Sequence, residues 1–388
     1  MRRLTIPARA NWRAEAERVG FTFHTSEDGK PYWDESACYA FTLRQIEEDI
    51  EAPTAELLDM CYQAVDYVLA REALLERLRI PRFLWGTIAQ SWRRRDRDLY
   101  GRFDLCYGGR APVKLYEFNG DTPTGLFEAA VFQWLWLEAS RASGAVAANA
   151  DQFNSLHERL IDAWRRFGIG RDTLHFTCAR DSEEDRVTVD YLRDCAQQAG
   201  IATKFLFADE IGITADDRFT DLEDSVIIRL FKLYPWEWLA AESFGHALAR
   251  DAARIIEPIW KMILSNKGLL AVLWEMFPNH PLLLPAYFED DPKAASIGER
   301  YVRKPLLGRE GANIEIVAAG AAQTLVPGPY GEEGYVRQAL APLPDFAGNR
   351  PVLGSWVIAG QAGGMGIREE RADVTSNTAR FLPHIILD

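Results

Sequence analysis

Apolar residues recur every three or four positions over Leu43, Ile46 and Ile50, and again over Leu57, Leu58, Cys61 and Val65. That spacing predicts a mainly helical region over residues 1–100. From Leu99 the period shortens to two. Arg102-Phe-Asp-Leu-Cys106 and Val113-Lys-Leu-Tyr-Glu-Phe-Asn119 alternate across Gly108-Gly109, which predicts a β-hairpin. Helices are expected over Phe127–Ser140 and along the stripe Phe153, Leu156, Leu160 and Trp164. Next come strand, helix and strand at Thr173–Cys178, Val187–Ala199 and Ala202–Phe207, with Gly200 stopping the helix, a βαβ unit of a parallel sheet. A strand Val226–Phe231 and a helix from Trp236 to about Ile256 follow. The last hundred residues read as strands with turns at Gly308, Gly328 and Gly363-Gly364. The succession predicts a mixed α/β and α+β protein of two or three closely packed lobes.

Composition narrows the function classes. The 388 residues are 48% hydrophobic and include 12 Trp, 13 Tyr and 20 Phe, enough for a large core, which rules out disorder. Forty-four Lys+Arg against 57 Asp+Glu leave a net charge of −13. That balance argues against nucleic-acid or anionic-membrane partners and suits a cationic substrate such as a polyamine. The five cysteines, Cys38, Cys61, Cys106, Cys178 and Cys195, are odd in number and form no CxxC. They fit neither a disulfide framework nor a zinc knuckle and point to a reducing compartment. The N-terminus lacks the apolar run of a signal peptide, and Ala129–Leu137 falls short of the ~20 residues a spanning helix needs. A cytoplasmic protein is expected.

Candidate chemistry gathers on the hairpin. Strand alternation puts Glu117 and Asn119 on one face, and Arg102 and Asp104 on one face of the partner strand. In the natural register Asp104, Glu117 and Asn119 converge as hard oxygen donors of the kind Mg²⁺ takes, beside an Arg102 whose planar fork suits a phosphoryl or carboxylate group. Spacing alone also fits a solvated strand face carrying an Arg–Asp ion pair. A second constellation runs from Lys304 through Gly308 and Gly311 to Ile314, a glycine loop whose N–H groups can approach phosphate oxygens while the lysine supplies charge. A hairpin loop with two glycines is equally common. Lys267 opens an apolar helix and projects either into a cleft or into solvent. Tyr335–Leu340 is either a strand leaving its sheet to read an adenine edge or an edge strand ended by Pro342 and Pro344. Arg368 is either a second clamp or a surface arginine beside Glu369 and Glu370. The chain has no GxxxxGK[ST], no strand-linked GxGxxG, no GxSxG and no HxxxH or HxH, so P-loop, dinucleotide, covalent-hydrolase and histidine–metal sites are unsupported.

In order, Arg102-Phe-Asp104, Tyr116-Glu-Phe-Asn-Gly-Asp-Thr122, Glu257-Pro-Ile-Trp-Lys261, Asn266-Lys267, Leu273-Trp274, Arg303–Ile314 and Gln338-Ala-Leu340 resemble the synthetase portion of the glutathionylspermidine synthase family, in its stand-alone form without an amidase domain. The resemblance implies a permuted ATP-grasp fold with a Rossmann-like pre-ATP-grasp domain. It divides the chain into a helical part (1–100), a metal-ligand hairpin with helices (101–170), the Rossmann-like unit (171–240) and a nucleotide-binding lobe (241–388). It also implies ATP and Mg²⁺. By the resemblance Asp104, Glu117 and Asn119 match metal ligands, and Arg102 and Arg368 match arginines at the transferring phosphoryl group. Lys267 and Lys304 match ATP-contacting lysines, Glu310, Gly311 and Ala312 a phosphate-covering loop, and Gln338, Ala339 and Leu340 an adenine-contacting strand. On the substrate side, Thr122 stands where the family has a serine for its thiol substrate. Asp181-Ser-Glu-Glu184 resembles an acidic segment receiving a polyamine through Glu183 and Glu184; a helix start with acidic residues at the positive dipole end reads the same way. Leu233 and Pro235 replace a Thr and a small residue, which points to an amine other than spermidine and leaves the glutathione-like acid open. The implied activity is an ATP-dependent carboxylate–amine ligase working through an acyl phosphate on a small acid and an amine. An ATP-dependent phosphotransferase and a nucleotide-binding protein without turnover are the alternatives.

Overall fold

The two alternating stretches fold as strands Tyr100–Cys106 and Lys114–Asn119. They pair antiparallel with Arg102 opposite Asn119, Phe103 opposite Phe118 and Asp104 opposite Glu117, and a bulge follows Asp104. The register is fixed because the two faces differ: Phe103 and Phe118 stack at 4.0 Å on the core side while the charged residues share the other. The computed structural model describes residues 1–26, 29–110, 112–250, 252–318, 321–324, 326–372 and 379–387. Within it the hairpin is one edge of a five-stranded sheet continued by strands Arg350–Ile358, Gln361–Glu370 and Arg380–Leu382. Gly354 lies opposite Asp104, and a Cβ there would come within 2.8 Å of the Arg102 side chain, so a glycine lets Arg102 lie flat across the sheet.

The expected βαβ unit is present. Strands Leu174–Cys178 and Thr203–Phe205 flank helix Glu183–Gln198 in a four-stranded parallel sheet completed by Arg229–Leu233 and Arg254–Ile256. The helix starts four residues ahead of the apolar periodicity because the Ser182 hydroxyl caps the Asp185 N–H and three acidic residues occupy the first turn.

Three expectations are corrected. The strand expected at 226–231 runs from Arg229 to Leu233, its Lys232 buried through an ion pair. The helix expected over 236–256 stops at Ala241. Glu242 is extended, and the Ala240 carbonyl lies 2.3 Å from where a Gly245 Cβ would be, so the chain folds back and Arg-Ile-Ile256 joins the parallel sheet instead. Tyr335–Ala339 is an interior strand of the second five-stranded sheet, between Ala286–Phe288 and Arg300–Pro305, with Glu315–Ala318 and Ala321–Thr324 beyond.

Helix Ala52–Leu69 buries Leu57, Leu58, Cys61 and Val65 as expected. The first hundred residues also contain strands Arg2–Thr5 and Ala37–Phe41, which join the distant His384–Ile386 in a small sheet. Ala37–Phe41 is buried along its whole length, so it shows no alternation to read. No helix among the described residues is long and apolar enough to cross a membrane.

Candidate active site

The charged face of the hairpin is a buried network. Arg102 donates from Nε and Nη2 to the two Asp104 oxygens at 2.7 and 3.1 Å, and Arg368 Nη2 reaches Asp104 Oδ2 at 2.6 Å. Asn119 Nδ2 lies 3.3 Å from both Asp104 Oδ2 and Glu117 Oε1. Arg102 is 7% and Asp104 4% exposed, so this is no solvated strand face. Arg368, expected either as a clamp or at the surface, is half-buried and bound into the network.

Two lysines arrive from far along the chain. Lys267, just before helix Leu269–Met276, bridges Glu117 Oε2 at 3.1 Å and donates to the Gly308 carbonyl at 2.6 Å. Lys304, near the end of its strand, donates to the Tyr116 carbonyl at 2.8 Å. Burial would raise the Glu117 carboxyl, but Lys267 and Lys304 outweigh it and hold it well below the usual carboxylate range. Burial, reinforced by Lys267 and opposed by Glu117, lowers the Lys304 ammonium to about 8.

These groups open on a cavity of about 230 Å³. Its lining includes Arg102, Asp104, Glu117, Asn119, Lys267, Lys304 and Arg368; Glu310 and Gly311 of the glycine loop; Gln338, Ala339 and Leu340; and Thr122 and Glu184. Leu233 and Pro235, the two departures on the substrate side, also line it. Two expected residues do not reach it. Ala312, though in the glycine loop, is buried away from the lining, and Glu183 faces outward, where its carboxylate accepts from the Thr22 hydroxyl. The Gln338 amide donates to the Leu115 carbonyl at 3.0 Å, tying its strand to the hairpin.

The acidic wall is strongly perturbed. Burial raises Glu184, against the Thr124 hydrogen bond and with Glu310 reinforcing it. Burial and the Glu184 charge push Asp185 up to about 7.

Several site residues carry no signal of their own in sequence. Arg309 donates to Glu237 and to the Thr122 hydroxyl, both at 2.6 Å, pinning the glycine loop across the cavity. Asp121, inside the segment quoted for the resemblance, pairs at 2.5 Å with Lys232 and accepts from the Trp236 N–H at 2.9 Å, both ionic partners being fully buried. Lys232 between the apolar Phe231 and Leu233 is the one sequence signal that could have pointed to that anchor. Among the described residues no cluster of three or more His, Cys, Asp or Glu side chains is arranged to hold a metal ion. The oxygen donors at hand are the two carboxylates and the Asn119 amide.

A family model described as glutathionylspermidine synthase preATP-grasp matches residues 3–387. The chain belongs to that family. It is similar to a protein of Haemophilus influenzae named as a candidate acid–amine ligase, 41% identical with 99% of each chain covered. It is 28% identical to the bifunctional glutathionylspermidine synthetase/amidase of Escherichia coli, covering 90% of this chain and 59% of that one. To the trypanothione synthetase of Crithidia fasciculata it is 27% identical, covering 84% and 53%. Among solved structures, a glutathione synthetase-like effector of Globodera pallida matches with a TM-score of 0.56 at 12% identity, covering 97% of this chain and 96% of that one, a likeness of fold alone. The sequence expectation of an ATP-dependent ligase that forms a carbon–nitrogen bond stands with the family.

Proposed function

We propose that this family member joins a small carboxylic acid to an amine with conversion of ATP to ADP, through an acyl phosphate. One observation carries the reading: Asp104, Glu117 and Asn119 meet Arg102, Arg368, Lys267 and Lys304 at a single cavity, although the lysines lie far downstream in the chain. In this reading the carboxylate oxygen attacks the γ-phosphorus as ADP leaves, and the amine then attacks the acyl carbon as phosphate leaves. Little covalent chemistry falls to the protein, which positions the partners and neutralises charge.

Arg102 and Arg368 are assigned to the developing charge on the transferring phosphoryl group, and Lys267 and Lys304 to the nucleotide phosphates. Glu310, Gly311 and Ala312 belong to the loop over those phosphates, and the backbone of Gln338, Ala339 and Leu340 faces the adenine. Asp104, Glu117 and Asn119 fit Mg²⁺ by donor chemistry: two carboxylates face each other in the ladder, and the neighbouring amide can turn its oxygen toward them. When bound, the ion supplies charge neutralisation at the phosphates.

Thr122 and Glu184 are assigned to the acid and amine. The apolar Leu233 and Pro235 in the wall favour an amine other than spermidine. The same reading makes the chain a permuted ATP-grasp protein with a Rossmann-like unit at 171–240. In it the 101–170 hairpin shares a sheet with the 241–388 lobe, between a helical part and the nucleotide lobe.

The test is a screen of acid–amine pairs for ADP release, with mass spectrometry of the product. A pair-dependent amide is expected. A phosphorylated acid without amide would make the protein a phosphotransferase, and no ADP with any pair would leave only nucleotide binding.

A further inference from the structure

Glu128 is a carboxylate that the roles above leave unused. It opens a single π-helical turn, Glu128–Phe132, ahead of helix Gln133–Ser143. Such turns recur at functional sites. The side chain is fully buried. Oε1 accepts from the Tyr32 hydroxyl at 2.7 Å, and Oε2 has no hydrogen-bond partner. No Lys or Arg pairs with it among the described residues. Tyr32 itself lines the cavity together with Glu184 and Asp185.

The groups facing Glu128 are Tyr32, Glu184 from helix Glu183–Gln198 and Arg102 from the hairpin; Arg368 acts on Tyr32. Burial, then the like charge of Glu184, push the Glu128 carboxyl up to about 8, against the Tyr32 hydrogen bond and Arg102. A purely structural carboxylate is poorly served by such surroundings, since an unmatched buried oxygen costs about 1–3 kcal/mol. A proton acceptor is well served, because its affinity lies near working pH.

An alkylammonium has no lone pair with which to attack an acyl carbon, so one proton must leave it first. Resting on the ligase reading above, we propose that Tyr32 and Glu128 take that proton. Tyr32 touches the amine; Glu128 acts through Tyr32 and holds the charge. The substrate N–H bond breaks and an O–H bond forms at Tyr32 Oη while the tyrosine's own proton passes to Glu128 Oε1. A neutral amine, a neutral Tyr32 and a protonated Glu128 result. The amine's second proton departs with the phosphate as the amide forms, and Glu128 returns its proton to water after product release.

The experiment compares wild type, Glu128→Gln and Tyr32→Phe with two nucleophiles, over the acid that releases most ADP in the screen. One nucleophile is the primary alkylamine taken best among spermidine, putrescine and cadaverine, a cation at neutral pH. The other is hydroxylamine, largely unprotonated at pH 7 and in no need of a base. Both variants are expected to lose about 100-fold or more in alkylamine kcat, the scale of general-base catalysis, while hydroxamate formation stays within a few-fold of wild type. Glu128 must be ionised to accept, so wild-type alkylamine kcat/KM should rise with pH and level off above about 8, whereas in Glu128→Gln that break should vanish and the rise simply follow the neutral fraction of the amine. Unchanged alkylamine turnover overturns the proposal, as does an equal loss with both nucleophiles. Should Glu128→Gln fold poorly, Tyr32→Phe, which keeps the ring, decides. A wild type that yields neither amide nor hydroxamate overturns the ligase reading and this step with it, whereas an active wild type with unaffected variants overturns this step alone.

Discussion

Glu117 stays ionised although half-buried because two ammonium groups face it, and that makes its charge the sharpest probe of the site. Glu117→Gln keeps the shape of the side chain and removes the charge that faces both Lys267 and the donor set. ADP release should fall by about 100-fold or more, the scale of one charged group aimed at a reacting phosphate, with melting close to wild type. Normal ADP release at limiting Mg²⁺ would remove Glu117 from the metal set. The acidic pair separates more finely. Glu184 lines the cavity, whereas Glu183 faces out beside Thr22. Glu184→Gln should therefore raise the amine KM about tenfold to a hundredfold, the equivalent of ~1.5–3 kcal/mol for a charged hydrogen bond, and leave the ATP KM unchanged. Glu183→Gln should alter neither; a matched rise in both variants would place the amine elsewhere. Sequence could not tell these neighbours apart. Acidic residues ahead of Val187 carry no apolar periodicity, and the Ser182 cap that turns one inward and one outward acts through φ and ψ, not composition.

At the scale of elements, what was legible is what has two unlike faces. The 100–119 hairpin could be read to within two residues, and the convergence of Asp104, Glu117 and Asn119 stood as one of two readings, because a slip of one position would bury the charges and expose Phe103 and Phe118. Ala37–Phe41, buried on both sides, offered no such contrast. The 236–256 stretch misled because Leu, Ala and Ile suit helix and sheet alike, and the nearby parallel edge decided for Arg254–Ile256. The glycine loop was visible as a loop, but its strain was not. Glu310 (φ 53°), Gly311 (φ 75°) and Asn313 (φ 55°) put three left-handed residues within four positions, at roughly 1–2 kcal/mol for each non-glycine. The Ala312, Asn313 and Ile314 N–H groups are spent on backbone carbonyls, so an anion would meet the loop ahead of them. ATP with Mg²⁺ should raise Tm by linkage and slow trypsin cleavage at Arg309 and Glu-C cleavage at Glu310. Unchanged Tm and unchanged cleavage at saturating nucleotide would count against a phosphate role for residues 306–312.

The whole molecule is closed by its C-terminal strand, and one histidine there ties three distant segments. His384 is fully buried in strand His384–Ile386, which pairs parallel with Ala37–Phe41. Its Nε2 accepts from the Phe153 N–H at 3.0 Å, and Nδ1 lies 3.0 Å from Gln133 Oε1. Gln133 spends its own amide protons on the Ala129 and Met365 carbonyls, so Nδ1 must carry the imidazole proton and Nε2 the lone pair. A second proton would enter at Nε2, expel the Phe153 N–H and charge a site with no counterion in these contacts. Burial accordingly lowers the imidazole to about 3, against an ordinary 6.5 in the unfolded chain. A histidine depressed on folding contributes stability that is full above pH 6.5 and is lost as pH falls toward 3. Carboxyls raised by burial, Glu128 to about 8, Glu257 to about 7 and Asp185 to about 7, act in the opposite direction over part of this range, since the folded state binds their protons more tightly. The clean quantity is therefore the difference between wild type and His384→Gln, in which those terms cancel. Urea unfolding at pH 7, 6 and 5 should show wild type more stable at pH 7 and its advantage shrinking by about 2 kcal/mol by pH 5. Curves that stay parallel across that range would mean that His384 is not held neutral, and the acid sensitivity of the fold would have to be sought among its carboxylates.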